Sequence, residues 1–331
     1  MVLSVGPSIV ETRRDAIVAF MKDFFFDERE YLIFDGIVSF SKAMDDTQRG
    51  YNNQKVYDPQ VNLLYAFYGG TPSGMPAYYR KFPGNVRDVS AFGTGIAEMG
   101  IHDIVVIADK GFGSSTNFTD LDSSGLRYIV PLRRNSVEYD RASLLMVDKS
   151  GFHGVFQFNG RPIWYYSQHS DTNHTLMVFQ ELRNKQCEFG VLVMKTNIEE
   201  SPERIYHLYK KRGQIEQMFD DYKNLMDLDS SYLQSDSTME AWCFLNHLGL
   251  MACYRVYDLL RSTNTLKRYS VGGLLQEYLS GIRIDRTSRT WMYDVLSKGP
   301  KDVLKNLRLQ LPELAEFLPP RNVVLHPERH I

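Results

Sequence analysis

The sequence predicts an α/β fold built around a mixed five-stranded sheet, and three observations carry that prediction. Three strand-like runs follow one another between residues 30 and 82, separated by turn residues. Strand and helix patterns then alternate to about residue 133. From about 134 to 200 the texture is strand only, and beyond Pro202 it is mostly helical.

The first run, "EYLIFDGIVSF" (30–40), is followed by "VNLLYAFYGG" and "MPAYYRKF", with Gly69, Gly70, Pro72 and Gly74 clustered between the last two. Runs rich in β-branched and aromatic residues, broken by Gly and Pro, read as an antiparallel meander. A helix is expected from about 87 to 99, then a short buried strand "DIVVIAD" (103–109), a helix from about 114 and a strand "LRYIVPL". Alternation of this kind implies parallel pairing. Three antiparallel strands leading into parallel strands with crossing helices is the layout of an RNase H-like core. In "VFQFNGRPIWYY", Asn159-Gly160 sits between two alternating runs, which is a strong hairpin signal. "TLMVFQEL" and "EFGVLVMK" continue this all-β insertion. The expected segments are a short helical start (1–29), the first part of the core (30–133), the β insertion (134–201), the second part of the core (202–262) and a basic helical C-terminal region (263–331).

Of the 331 residues, 43% are hydrophobic and 24% charged, with 20 Tyr and 19 Phe, which excludes disorder over most of the length. The cysteines, Cys187, Cys243 and Cys253, are three, widely spaced and without CxxC. That excludes a disulfide framework and a zinc cluster and fits a reducing, cytoplasmic setting. The longest apolar stretch, "AWCFLNHLGLMACY", is too short to span a bilayer and contains Asn246 and His247. It reads as a core helix, and no membrane association is expected. The net charge of −2 hides an asymmetry: from Arg261 to Arg308 ten Lys/Arg face four Asp/Glu, a local +6 that leaves −8 elsewhere. A basic region on an acidic chain suits a polyanionic partner, and equally a solvated helical surface.

"YHLYKKRGQIEQMFDDYKN" (206–224) reads as part of one helix running from about 203 to 226. At about 100° per residue, Tyr209, Arg212, Glu216 and Lys223 fall within a stripe roughly 60° wide, on the shoulder of the face formed by Leu208, Ile215, Met218, Phe219 and Tyr222. On its own, the i,i+4 pair Arg212/Glu216 reads as an ion-paired flank worth a few tenths of a kcal/mol. Two further carboxylates change the weighting. Asp35 interrupts a continuous apolar run, where an uncompensated carboxylate costs several kcal/mol. Asp109 closes the "VVIA" run at the carboxyl end of a parallel strand, where ligands of open α/β sheets collect, although a turn or cap role explains it as well. Two strand carboxylates and one helix carboxylate supply hard oxygen ligands able to hold two Mg²⁺ or Mn²⁺ ions. Arg212 and Lys223 beside them would face phosphates.

Tyr209, Arg212, Glu216 and Lys223 also reproduce Y-x2-R-x3-E-x6-K, and in this the sequence resembles the DDE transposases of insertion-sequence family four. "FDG" around Asp35 resembles that family's first-Asp motif and "DKGFGSS" at Asp109 its second. An all-β insertion between the second Asp and the Glu is also how that family is built, and the resemblance covers about residues 30–262. It implies Asp35, Asp109 and Glu216 as catalytic metal ligands, and Tyr209, Arg212 and Lys223 as grips on double-stranded transposon-end and target DNA. It further implies cleavage and strand transfer by a homodimer associated with the nucleoid. Only 34 residues precede Asp35, where the family normally carries a helical DNA-binding domain, so a truncated or split copy is expected. Trp164 is the only Trp in the insertion, where the family uses one as a stacking wedge, but its spacing gives no match.

Two other readings stand beside this one: an RNase H-like nuclease without strand transfer, and a non-catalytic, DNA-binding remnant. A dinucleotide-binding enzyme is excluded because "DKGFGSS" lacks the third Gly of GxGxxG and has no Lys-Ser/Thr pair.

Overall fold

The computed structural model describes residues 14–23, 31–41, 49–51, 57–69, 74–84, 86, 88–139, 151–170, 174–181, 191–226, 230–231, 233, 235–282, 284–286 and 291–311. Two compact units divide the chain at Met251/Ala252.

In the first unit, β1 (Tyr31–Ser41) is the central strand. β3 (Tyr57–Gly69) pairs with it antiparallel, and β4 (Met75–Pro83) pairs antiparallel with β3. A three-residue strand, β2 (Arg49–Tyr51), adds to β3. On the other edge of β1 lies β5 (Val105–Ala108), parallel to it, followed by β6 (Arg127–Pro131), parallel to β5. The path β4-β3-β1-β5-β6 therefore carries the expected meander and parallel pair.

The sheet does not stop there. β7 (Gly154–Phe158), β8 (Arg161–His169), β9 (Thr175–Glu181) and β10 (Val191–Thr196) form an antiparallel series, and β10 pairs with β6 through Met194↔Pro131 and Thr196↔Ile129. The expected five-stranded sheet is thus corrected: one mixed sheet of eleven strands runs through the core strands and the strands of the expected β insertion. The Asn159-Gly160 hairpin is present as expected, with φ of 50° and 74°, the pair of positive values that a two-residue turn between right-twisted strands requires. Residues 182–190, including the start of the "EFGVLVMK" run, lie outside the described residues, as do Gly70 and Pro72.

Side chains alternate across β1 and so assign its two faces. Phe34 meets Phe92 of α2 (Asp88–Met99) edge-on at 5.2 Å, so α2, which connects β4 to β5, covers one face, and α3 (Ser115–Ser123) lies in the next crossover, from β5 to β6. The opposite face is read from Tyr31 and from Tyr65, which pairs with Asp35 and meets Phe219 edge-on at 6.1 Å. That face is covered by α4 (Pro202–Lys210) and α5 (Gly213–Asp220), anchored by the fully buried Ile205, Ile215 and Met218. The first half of a long helix, residues 236–262, also lies over β3 and β4: its His247 packs on Tyr65 and Tyr79 at 6.1 and 5.2 Å. The first helix, α1, over residues 14–23, is tied in by Arg14, which bonds Glu98, Glu240 and the Tyr79 carbonyl at 2.8, 3.5 and 2.9 Å.

The single helix expected from 203 to 226 is also corrected. Lys211 and Arg212 form a turn, in which Arg212 N–H bonds the Tyr209 carbonyl at 2.9 Å and Ile215 N–H the Arg212 carbonyl at 3.1 Å, both i→i+3. Residues Asp221–Leu225 then form a wider π turn. The chain is overwound at one point and underwound at the next, so a uniform 100° step fails at both.

The second unit packs Leu260, Tyr269, Leu274, Val303 and Leu307 into its own core. It was expected to be helical, but it also contains a hairpin of β12 (Ile284–Arg286) and β13 (Trp291–Tyr293). The Pro-rich end of the chain lies outside the described residues.

Two consequences for stability follow. Gly69 lies opposite Tyr31 in the β1/β3 register, and a Cβ added there would fall 1.6 Å from the Tyr31 ring. Gly69→Ala should therefore lower unfolding free energy by about 2 kcal/mol or more, read by urea denaturation. His247 is fully buried, and among the described residues neither ring nitrogen has a hydrogen-bond partner. Burial, with help from Arg14, lowers its pKa to about 3. The unfolded chain then binds the extra proton between about pH 6.5 and 3, so this residue's contribution is intact above 6.5 and is lost as pH falls. Between pH 7 and pH 5 the wild type should lose roughly 2 kcal/mol more than His247→Phe; equal losses would remove His247 as the cause.

Candidate active site

The site forms where the sheet leaves an edge open. β3 occupies one side of β1 from Tyr31 to Phe40, while on the other side β5 pairs only with Tyr31–Phe34. That side is closed again at Phe40 and Ser41 by the two-residue β11 (Ser230–Ser231). Among the described residues, 35–39 therefore have no strand partner on this edge.

Asp35 stands at the start of the gap. Because Phe34 pairs with Ala108, Asp35 and Asp109 are the next residues along two neighbouring parallel strands. Asp35 Oδ1 accepts the Gly36 N–H at 2.9 Å, leaving Oδ2 for another group. Asp109 enters a short 3₁₀ turn, Lys110–Phe112, with its own carbonyl accepting from Phe112 N–H at 2.9 Å.

The missing cation comes from the turn between α4 and α5. Arg212 Nη1 lies 3.2 Å from Asp35 Oδ2 and 3.7 Å from Asp109 Oδ1, while its Nη2 bonds Glu216 Oε1. One guanidinium thus touches all three sequence-predicted carboxylates. Arg212 and Asp35 each expose 20% of their side chains, whereas Glu216 exposes 56%. Burial alone would lower the Arg212 pKa, but Asp109, Tyr209, Glu216 and Asp35 outweigh it and the net shift is upward. The guanidinium stays charged. Four such groups carry a formal charge of −2, so the cluster remains short of positive charge.

Tyr209 sits one 3₁₀ turn before Arg212, where side chains three apart eclipse. Burial raises its pKa, Asp109 and Glu216 add to the effect and Arg212 opposes it, so the phenol keeps its proton and can donate. Lys223 is different. It is exposed in the π turn and makes no hydrogen bond or ion pair among the described residues. The structure unites Tyr209, Arg212 and Glu216 with the two aspartates and leaves Lys223 without a contact to them.

The turn is fixed in place by groups that the sequence pattern does not single out. Tyr31 donates its hydroxyl to Gln214 Oε1 at 3.1 Å, and Lys211 Nζ lies 5.0 Å from the Tyr31 ring centroid. The residues flanking Arg212 are thereby bolted to the first residue of β1. The only sequence sign of this is Gly69, whose missing side chain makes room for the ring.

A family model described as "Transposase DDE domain" matches residues 30–251. The chain belongs to that family. The match ends at the residue where the first compact unit ends. No curated protein matches by sequence. Among solved structures, the piggyBac transposase synaptic complex with hairpin DNA aligns at a TM-score of 0.47 and 13% identity, over 82% of this chain and 57% of that one. This chain thus spans little more than half the length of that structure's chain. Among the described residues, no helix is long and apolar enough to cross a membrane.

Hard carboxylate oxygens from three elements are the right donor set for Mg²⁺ or Mn²⁺. Among the described residues no three acidic, His or Cys side chains close around a point by themselves; the carboxylates meet on Arg212 instead. Removing that cation should therefore leave like charges facing one another. Without metal, Arg212→Ala should melt below the wild type, by about 1–3 kcal/mol of lost stability. Added Mn²⁺ should stabilise the variant more than it stabilises the wild type. A variant that melts with the wild type and ignores Mn²⁺ would show that the guanidinium does not hold the cluster.

Proposed function

We propose that this DDE transposase cleaves DNA and joins strands for an insertion sequence, with Asp35, Asp109 and Glu216 as the catalytic carboxylates. The observation that carries the proposal is that one guanidinium, at the unpaired edge of β1, reaches all three. Two carboxylates on adjacent parallel strands and a third from a helix bound to the same sheet face support an RNase H-like core, formed by β4-β3-β1-β5-β6 and the helices up to residue 262, with 134–201 as its insertion. Asp35 and Asp109 would hold two Mg²⁺ or Mn²⁺ ions together with Glu216. Ions bound there supply an activated water or 3′-hydroxyl and a steadied leaving oxygen at a phosphodiester.

The chain's own groups do the remaining work. The exposure of Glu216 allows it to rotate between Arg212 and an ion. Arg212, released from the carboxylates, presents a planar fork to a phosphate on double-stranded DNA. Tyr209 keeps a protonated phenol beside that fork and donates to the same backbone. Lys223, exposed in the π turn, acts as a point charge further along the DNA. In this reading two copies act together, one on each transposon end, as the resemblance to insertion-sequence family four implies.

The test uses DNA from the gene's two flanks, chosen for any inverted repeats found there and supplied both intact and pre-cut. Wild-type protein should cut and join it with Mg²⁺ or Mn²⁺ and stop when EDTA is added. Asp35→Asn, Asp109→Asn and Glu216→Gln should each lower the rate by at least 10²-fold. Full activity in any of the three would remove that residue from the site. Cutting without joining of pre-cut ends would favour a nuclease, and binding without either step a DNA-binding remnant.

A further inference from the structure

We infer that Arg133 is a positioning residue for Asp109, an inference that rests on the reading of Asp109 as a metal ligand. β5 ends at Ala108, so Asp109 is aimed by the three-residue turn that follows it. The far end of that turn is firmly seated: Phe112 is buried, packs on Phe92 at 5.2 Å, and its carbonyl accepts from the buried Asn117 Nδ2 at 2.8 Å. The near end, Lys110 and Gly111, is the end next to Asp109 and is not buried. There the Gly113 N–H reaches the Lys110 carbonyl at 3.3 Å. The other tether is Arg133, whose Nε donates to the Lys110 carbonyl at 3.1 Å and whose Nη2 donates to the Gly111 carbonyl.

Two consecutive carbonyls held by one planar fork fix the peptide plane between them, and Asp109 is one residue away. A guanidinium can do this and an ammonium cannot, because its donors do not lie in a fixed fork. The fork itself stands on a rigid base. Arg133 follows β6, which is paired on both sides, and the adjacent Leu132 N–H bonds the Val193 carbonyl of β10 at 2.8 Å. Arg133 forms no ion pair with an acidic side chain among the described residues. Its directional bonds go to the turn instead of to a salt bridge.

The test uses full-length Arg133→Gln and Arg133→Lys beside wild type and Asp109→Ala, with Mn²⁺ as the probe. Free Mn²⁺ is read by electron paramagnetic resonance, and exchange of the amides around 110–113 by mass spectrometry. Arg133 is exposed, so both variants should melt close to the wild type. Amide exchange in the turn should accelerate several-fold in Arg133→Gln. Mn²⁺ affinity should fall about tenfold, the scale on which outer-shell partners act, with partial recovery in Arg133→Lys, which can restore one bond of the two. Wild-type affinity and exchange in both Arg133 variants, with binding lost in Asp109→Ala, would overturn the role of Arg133 and leave the site intact. Unchanged Mn²⁺ binding in Asp109→Ala would instead overturn the metal-ligand reading, and this inference with it.

Discussion

Three carboxylates from three different elements are held together by a single guanidinium. Like charges gathered at the partly buried edge of a sheet repel one another unless a cation lies between them, and Arg212 supplies it from a turn 177 residues away from Asp35 in the chain. Much of the architecture around the site can be understood as what delivers that one side chain. Gly69 makes room for Tyr31, Tyr31 fixes Gln214 and Lys211, and these flank Arg212. The 3₁₀ winding of the turn then stacks Tyr209 and Arg212, while the α-helical step beyond it brings Glu216 back to the same guanidinium.

The sheet contributes by what it leaves undone. β5 stops at Ala108 and β11 begins only opposite Phe40, so among the described residues the main chain of β1 between them has nothing to pair with on that side. A closed sheet would have covered Asp35. A carboxylate can sit inside this apolar strand because the Arg212 guanidinium lies against it and offsets its charge.

Those parts of the design that are chemical anomalies were legible in the sequence. Asp35 stands out because a charge breaks an apolar run, Asp109 because it ends one, and Asn159-Gly160 because only a tight hairpin asks for two positive φ values in succession. The parts that depend on contacts distant in sequence were not. Pairing of β10 with β6 joins residues 129–131 to 194–196, and no local period encodes it. The break at Lys211–Arg212 and the π turn at Asp221–Leu225 are shifts of main-chain hydrogen bonding that leave the apolar spacing nearly unchanged, so a single uniform helix remained the natural reading. That is why the stripe survived as far as Glu216 and failed at Lys223. Arg133 was invisible for a related reason: its partners are backbone carbonyls, which carry no sequence signature.

The continuous sheet also bears on how this molecule can be dismantled. Since β10 is hydrogen-bonded along β6, the insertion is no detachable module; it is the cover of a strand edge. Stripping it away would bare the N–H and C=O groups of β6 beside a row of fully buried apolar side chains, Tyr128 to Val130. Bare edges of that kind recruit other chains. An evolutionary lineage could therefore lengthen, shorten or re-decorate the distal hairpin of β7 and β8, but whatever replaced the segment would still have to lay a strand against β6. The size and sequence of the insertion are free to drift while its attachment is not.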